Sequence, residues 1–242
     1  MSAQILLITN MYSPLLSGWF IPLVQWIGDE SIVHYPQHIA YIPLVFEKMN
    51  LIFSWLLDSV LSASAVLMFA AYFDKEKVRF SKSLREAMRQ YPKLLLIWLA
   101  VFLPILLLFW ALPGLFESFV EGSPRRKIML MIGMQGMQTV LTALFIYVVP
   151  YLLLRGVSLG QAFTRNFSLF FRSFFTTIVL VGIPQFLMLP FIYAMQNTGT
   201  IVNKFNPSVI IWLSISWAAV LVLANYFTTG SIVRFFREIA ED

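Results

Sequence analysis

The chain contains no cysteine and only two histidines. That removes disulfides, thiolate metal sites and thiol nucleophiles together. Charge is scarce as well: 12% of residues are charged and 59% are apolar, against about a quarter charged in an ordinary soluble domain. The apolar excess must therefore face something other than water, and lipid is the solvent that fits. A membrane-spanning helix needs about 20 mostly apolar residues, so about six spans take about half of the 242 residues and leave no length for a separate soluble domain. No Walker loop, HExxH or GxSxG motif is present, so no catalytic residue, metal ligand set or cofactor is expected. The chain is read as not an enzyme. The net charge of +5 belongs to basic residues that flank apolar stretches, where they orient a membrane protein; no nucleic-acid partner is expected.

The N-terminal MSAQILLITN lacks the basic n-region of a cleavable signal peptide and is expected to be retained. The first apolar stretch, Ile5 to Ile27, is interrupted by Asn10, Pro14, Gly18 and Pro22, which predicts a kinked or partial span. A polar segment from Gly28 to Asn50 follows. Further spans are predicted over Leu51 to Tyr72, Leu94 to Leu115, Ile128 to Leu154, Phe170 to Met195 and Val209 to Val233. Pro184 and Pro190 predict a bend in the fifth. With this count, twelve Lys and Arg residues fall on one side, seven of them from Lys75 to Lys93, and five on the other. The positive-inside rule then puts both termini in the cytoplasm.

Two segments align at an offset of 75: Ser83-Leu-Arg-Glu-Ala-Met-Arg-Gln and Ser158-Leu-Gly-Gln-Ala-Phe-Thr-Arg. Ser83 with Glu86, and Ser158 with Gln161, read as capping boxes that open a helix. Leu84, Ala87, Met88 and Tyr91 share one face of the first; Leu159, Ala162, Phe163 and Phe167 share one face of the second. Both are predicted to be amphipathic elbows lying along the headgroups before the chain turns into spans three and five. Lys82, Arg85, Arg89, Lys93 and Arg165 are the candidate lipid-headgroup contacts. Ser231 to Glu241, with Arg234 and Arg237, reads as a terminal remnant of the same unit. The units, about 75–154 and 155–242, form a parallel pseudo-repeat inside a single transmembrane domain spanning 1–242.

The two Ser-Leu-x-x-Ala elbows in a six-span chain resemble a group of bacterial inner-membrane proteins that includes the membrane domain found beside some glycerophosphodiester phosphodiesterases. The resemblance covers Lys75 to about Pro190 and implies a multi-pass inner-membrane protein. It carries no catalytic residue across, because the phosphodiesterase chemistry of that family resides in a separate soluble domain.

Polar residues inside the spans are the remaining candidates. Asn50, Ser54, Asp58 and Ser62 recur every four residues and make one stripe along span two, with Asp58 the acid deepest in a span. The stripe is expected to face protein or a water-filled cavity. Gln135, Gln138, Thr139 and Thr142 make a second stripe in span four, beside Gly133 and Gly136, whose small size permits close helix approach. Ser54, Asp58, Ser62, Gln135, Gln138 and Thr142 form the candidate polar path. Interhelical hydrogen bonding explains the same residues and is favoured, since no basic partner lies at the depth of Asp58. His34 and His38 flank Pro36, which opposes the helix that would aim both at a metal, so solvated loop residues are expected there. Tryptophans and tyrosines near span ends, among them Trp19, Trp26, Trp55, Trp98 and Trp110, read as interfacial anchors.

The sequence thus predicts an all-α polytopic membrane protein, about six transmembrane helices arranged as three helical hairpins with two cytoplasmic elbow helices. Its partners are expected to be membrane lipids and other membrane subunits. Two roles compete: a non-catalytic accessory or scaffold subunit, or envelope-maintenance protein; and a small transporter or permease component using the path around Asp58.

Overall fold

A computed structural model describes residues 57–116, 123–205 and 208–240. These residues are helical with no strand among them. The helices are α1 (Ser59–Phe73), α2 (Phe80–Arg89), α3 (Tyr91–Leu115), α4 (Pro124–Phe145), α5 (Val148–Leu154), α6 (Leu159–Arg172), α7 (Phe174–Phe186), α8 (Leu189–Gln196), α9 (Thr198–Lys204) and α10 (Ser208–Ala240). Three stretches among the described residues are long and apolar enough to cross a membrane: Tyr91–Leu108, Ile128–Leu154 and Val209–Ile239. The pair α6 and α7 makes a fourth if counted as one span, but it is bent by 94°. Apolar helices of this length mark a membrane protein. The first apolar stretch and the polar segment after it, including His34, His38, Asn50 and Ser54, lie outside the described residues.

Proline decides where several of these helices stop. A helical proline supplies no N–H and its ring presses on the carbonyl four residues earlier. For Pro150 that carbonyl belongs to Ile146, and α4 ends at Phe145, with the turn at Ile146 and Tyr147 dividing span four into α4 and α5. For Pro190 it belongs to Phe186, the last residue of α7. The predicted single span from Phe170 to Met195 is thus divided at Ser173 and again after Phe186, and the chain turns by 94° at Ser173, away from both prolines. Pro124, by contrast, sits in the first turn of α4, where the missing N–H would have had no helical partner.

Two compact units are distinguished: one contains 57–187 and 224–240, the other Met188–Leu223. In the first, one core cluster joins Val60 and Ala63 of α1, Ala87 of α2, Leu94 and Ile97 of α3, Val148 and Leu152 of α5, and Ala162 of α6. A second gathers Ala143, Tyr147, Leu169, Phe170, Val181, Ile232 and Phe236. Val66 and Ala70 of α1 meet Val233 of α10 in a third. Of the second unit, Ile210 and Ser214 are buried on α10, and the Ser214 hydroxyl donates back to the Ile210 carbonyl at 2.8 Å.

Both elbow segments are short amphipathic helices. Ala87 and Ala162, paired by the offset of 75, are each fully buried in the same cluster, with Leu84 and Leu159 packed against it. Lys82, Arg85, Arg89, Lys93 and Arg165 are exposed. Their helix starts differ. Ser158 caps α6 through a capping box: Gln161 N–H donates to Ser158 Oγ at 3.4 Å, and the Ser158 N–H donates to Gln161 Oε1 at 3.3 Å. Ser83 does not cap: α2 begins three residues earlier, at Phe80, and the Ser83 N–H already donates to the Arg79 carbonyl at 3.1 Å. An amide engaged in the helical ladder needs no cap. Met88 is exposed and leaves the apolar face assigned to it. The C-terminal remnant is not separate either, for α10 runs unbroken from Ser208 to Ala240. No glycine or proline lies within 231–240, and the helix continues through Ser231.

Candidate functional site

A buried polar cluster surrounds the break that Pro150 imposes on span four. At a helix break the freed backbone groups must find other partners, above all in lipid. Ile146 N–H reaches only the Ala143 carbonyl, at 3.4 Å, so the Tyr147 N–H leaves the ladder. Asn166 of α6 receives it: Tyr147 N–H donates to Asn166 Oδ1 at 3.0 Å, while Asn166 Nδ2 donates to the Leu144 carbonyl at 2.7 Å. One fully buried amide thus uses both its acceptor and its donor to bridge the two sides of the break.

The cluster continues through the Tyr147 side chain. Its hydroxyl lies 2.6 Å from Thr177 Oγ1 on α7, and both residues are fully buried. Thr177 Oγ1 in turn donates to the Ser173 carbonyl at 2.9 Å, and Ser173 Oγ to the Leu169 carbonyl at 2.7 Å. Ser173 is the residue at which α6 turns by 94° into α7. Two discontinuities, at Tyr147 and at Ser173, are therefore tied together by Asn166, Tyr147 and Thr177. The Tyr147 ring also stacks on Phe236 of α10, with centroids 6.3 Å apart.

Sequence reasoning placed its polar stripes elsewhere. Asp58 and Ser62 are exposed, while Ser59 and Ser64 turn inward from the same stretch. In α4, Gln135 and Thr139 are buried and Gln138 and Thr142 half-buried. Thr139 Oγ1 lies 2.9 Å from the Gln135 carbonyl and 2.7 Å from Gln185 Oε1 of α7, and its single proton serves one of these two acceptors at a time. The close approach expected at Gly133 and Gly136 is at Gly182 instead, where an added Cβ would lie 3.4 Å from Thr139 Cγ2. At Gly133 and Gly136 it would meet no described atom within 4 Å. Asn166 and Thr177 were not selected because single polar residues in apolar context carry no periodic signal. Pro150, whose carbonyl partner must be freed, was the clue available.

At the ends of these helices lies a second polar group. Arg237 of α10 donates through Nη1 to the Ala70 carbonyl of α1 at 3.1 Å and through Nη2 to Asp74 Oδ1. A cation over the last carbonyls of a helix is favoured by the helix dipole. Beyond Asp74 the chain leaves α1 in a Schellman motif: Glu76 N–H donates to Ala71 O at 2.9 Å, and Lys75 N–H to Tyr72 O at 3.1 Å. The motif places Lys75 in the left-handed region at φ 58°. Gly156, after α5, takes the corresponding conformation at φ 61°.

Among the described residues, no group of three or more His, Cys, Asp or Glu side chains could hold a metal ion. No protein family, curated protein or solved structure matches this chain.

Proposed function

We propose that the protein is a non-catalytic, multi-pass component of a bacterial inner membrane that serves as an accessory or scaffold subunit of a membrane complex, or in envelope maintenance. About six spans form three hairpins with both termini cytoplasmic. The two amphipathic helices lie along the cytoplasmic headgroups, with Lys82, Arg85, Arg89, Lys93 and Arg165 toward them. Burial of the paired alanines Ala87 and Ala162 in one cluster supports the repeat, and the 94° turn at Ser173 supports an elbow entering a span.

One observation carries the scaffold reading: the buried polar side chains at the breaks and between α4 and α7 are engaged in joining helices. Asn166 uses both ends of its amide on the broken span, Tyr147 pairs with Thr177, and Thr139 pairs with Gln185. The rival transport path needs Asp58 and Ser62 beside Gln135, Gln138 and Thr142. Asp58 and Ser62 lie on the exposed side of their helix, and the Gln135–Thr139 turn is bonded to α7.

Purification in mild detergent with identification of co-purifying chains tests the role directly. The scaffold reading expects a stoichiometric membrane partner that Asp58→Asn leaves in place. Solute or proton flux through the purified, reconstituted protein, abolished by Asp58→Asn, would overturn it. Accessibility tags near Arg85 and Gln161 are expected on one face of the membrane; opposite faces would refute the hairpin arrangement.

A further inference from the structure

We propose that the outer face of α2 is a docking surface for anionic phospholipid headgroups, and that its counterpart α6 has no such selectivity. The stretch from Lys75 to Lys93 holds seven basic residues and two acids, Glu76 and Glu86. Its surplus of five positive charges equals the formal net charge of the whole chain. All seven bases are exposed, and among the described residues none of them forms an ion pair; the pairs present are Arg234–Glu238 and Arg237–Asp74. At about 100° per residue, Lys82, Arg85 and Arg89 fall within an arc of about 60°. That arc lies opposite Leu84 and the buried Ala87.

Orientation by the positive-inside rule calls for basic residues on this side of the membrane, but not for their concentration on one helix. The offset of 75 separates packing from charge. Ala87 and Ala162, like Leu84 and Leu159, serve the same core cluster. The bases have no such counterparts: Lys82, Arg85, Arg89 and Lys93 align with Val157, Gly160, Thr164 and Ser168. Packing, common to both helices, therefore does not account for charge found on only one. Apolar exposure differs in the same way. Phe163 packs against the cluster, whereas Met88, at the paired position, is 54% exposed. Phe80, the first residue of α2, is exposed to the same extent. Large apolar side chains beside unpaired bases suit an interface whose phosphates take the charge and whose acyl region takes the ring and the thioether. A wholly polar acidic partner would satisfy the bases and leave Phe80 and Met88 in water.

The inference rests on reading α2 as a cytoplasmic interfacial helix, which the accessibility tags near Arg85 and Gln161 test separately. The full chain is placed in nanodiscs of mixed phosphatidylcholine and phosphatidylglycerol, and the lipids it retains on ejection are read by native mass spectrometry. Enrichment of phosphatidylglycerol is expected. It should fall about fivefold for Arg85→Gln and again for Arg89→Gln, since each base near the surface is worth about 1 kcal/mol. Arg85→Lys and Arg89→Lys keep the charge and should keep most of the enrichment. Arg125→Gln, which removes an exposed base outside the stretch, should leave it unchanged. Raising the salt from about 0.1 to about 0.5 M should suppress the wild-type enrichment by screening, a readout that needs no variant. Absence of enrichment in the wild type, or enrichment indifferent to salt, overturns the proposal. Equal losses for Arg125→Gln and Arg85→Gln also overturn it, because they indicate diffuse surface attraction. Capture of a polyglutamate peptide by phosphatidylcholine discs, undiminished when phosphatidylglycerol is included, assigns the surface to an acidic protein and overturns it as well.

Discussion

Replacing Asn166 by leucine removes the bridge across the Pro150 break while nearly conserving volume. Two bonds disappear, Tyr147 N–H to Oδ1 and Nδ2 to the Leu144 carbonyl, at 3.0 and 2.7 Å. The amide loss is the more serious. Tyr147 N–H has left the helical ladder, so it would remain buried without a partner, at a cost of about 1–3 kcal/mol. Leu144 O loses an accepted bond worth about 0.5–1.5 kcal/mol. Hydrogen bonds between membrane helices average nearer 0.6 kcal/mol because the unfolded reference in lipid also finds partners. A total destabilisation of about 2–3 kcal/mol is therefore expected, measured by denaturant titration of purified protein in bicelles. The decisive comparison is a double-mutant cycle with Pro150→Ala. Alanine allows the ladder to close through Tyr147, so Asn166 has less to satisfy, and Asn166→Leu in that background should cost at least about 1 kcal/mol less. Strict additivity of the two substitutions, or a loss below about 0.5 kcal/mol for Asn166→Leu alone, would refute the bridge as the reason for the buried amide.

Further substitutions test the packing and the helix ends. Gly230→Ala places a Cβ 3.0 Å from Phe69 Cε1 and 3.2 Å from Cζ, in a ring already packed 5.0 Å from Tyr226; a loss of about 1–3 kcal/mol is expected by the same titration. Gly133→Ala, with no described atom in reach, should be neutral or stabilising by up to about 1 kcal/mol through helix propensity. Lys75→Gly should raise the melting temperature by relieving a left-handed backbone worth about 1 kcal/mol, and Gly156→Ala should lower it by a similar amount. Ser158→Ala should cost about 0.5 kcal/mol, at the low end for a cap because its bonds are long and exposed, whereas Ser83→Ala should cost less. Equal losses at the two serines would contradict the different helix starts.

The transmembrane class was readable without coordinates because the free energy of exposing apolar helices to water depends mainly on composition and run length. Those two quantities are written in the chain. Leu94 to Leu115 and Ile128 to Leu154 were located closely for that reason. Local backbone chemistry was readable where one residue type decides it: Ser158 with Gln161 forms its capping box. Where neighbouring residues compete, the same reasoning failed, as at Ser83, whose amide a helix begun at Phe80 had already engaged.

What the three-dimensional arrangement alone decided is which polar groups meet. Spacing along a helix showed that Gln135 and Thr139 share a face, but not that Gln185, 46 residues beyond Thr139, would bond to it. Nor could it show that Asn166 would reach back 19 residues to the Tyr147 amide at the break in span four. Burial of apolar surface is non-directional and sums over a segment, so it survives as a pattern in one dimension. A hydrogen bond needs two particular atoms within about 3 Å, and that coincidence exists only once the helices have packed.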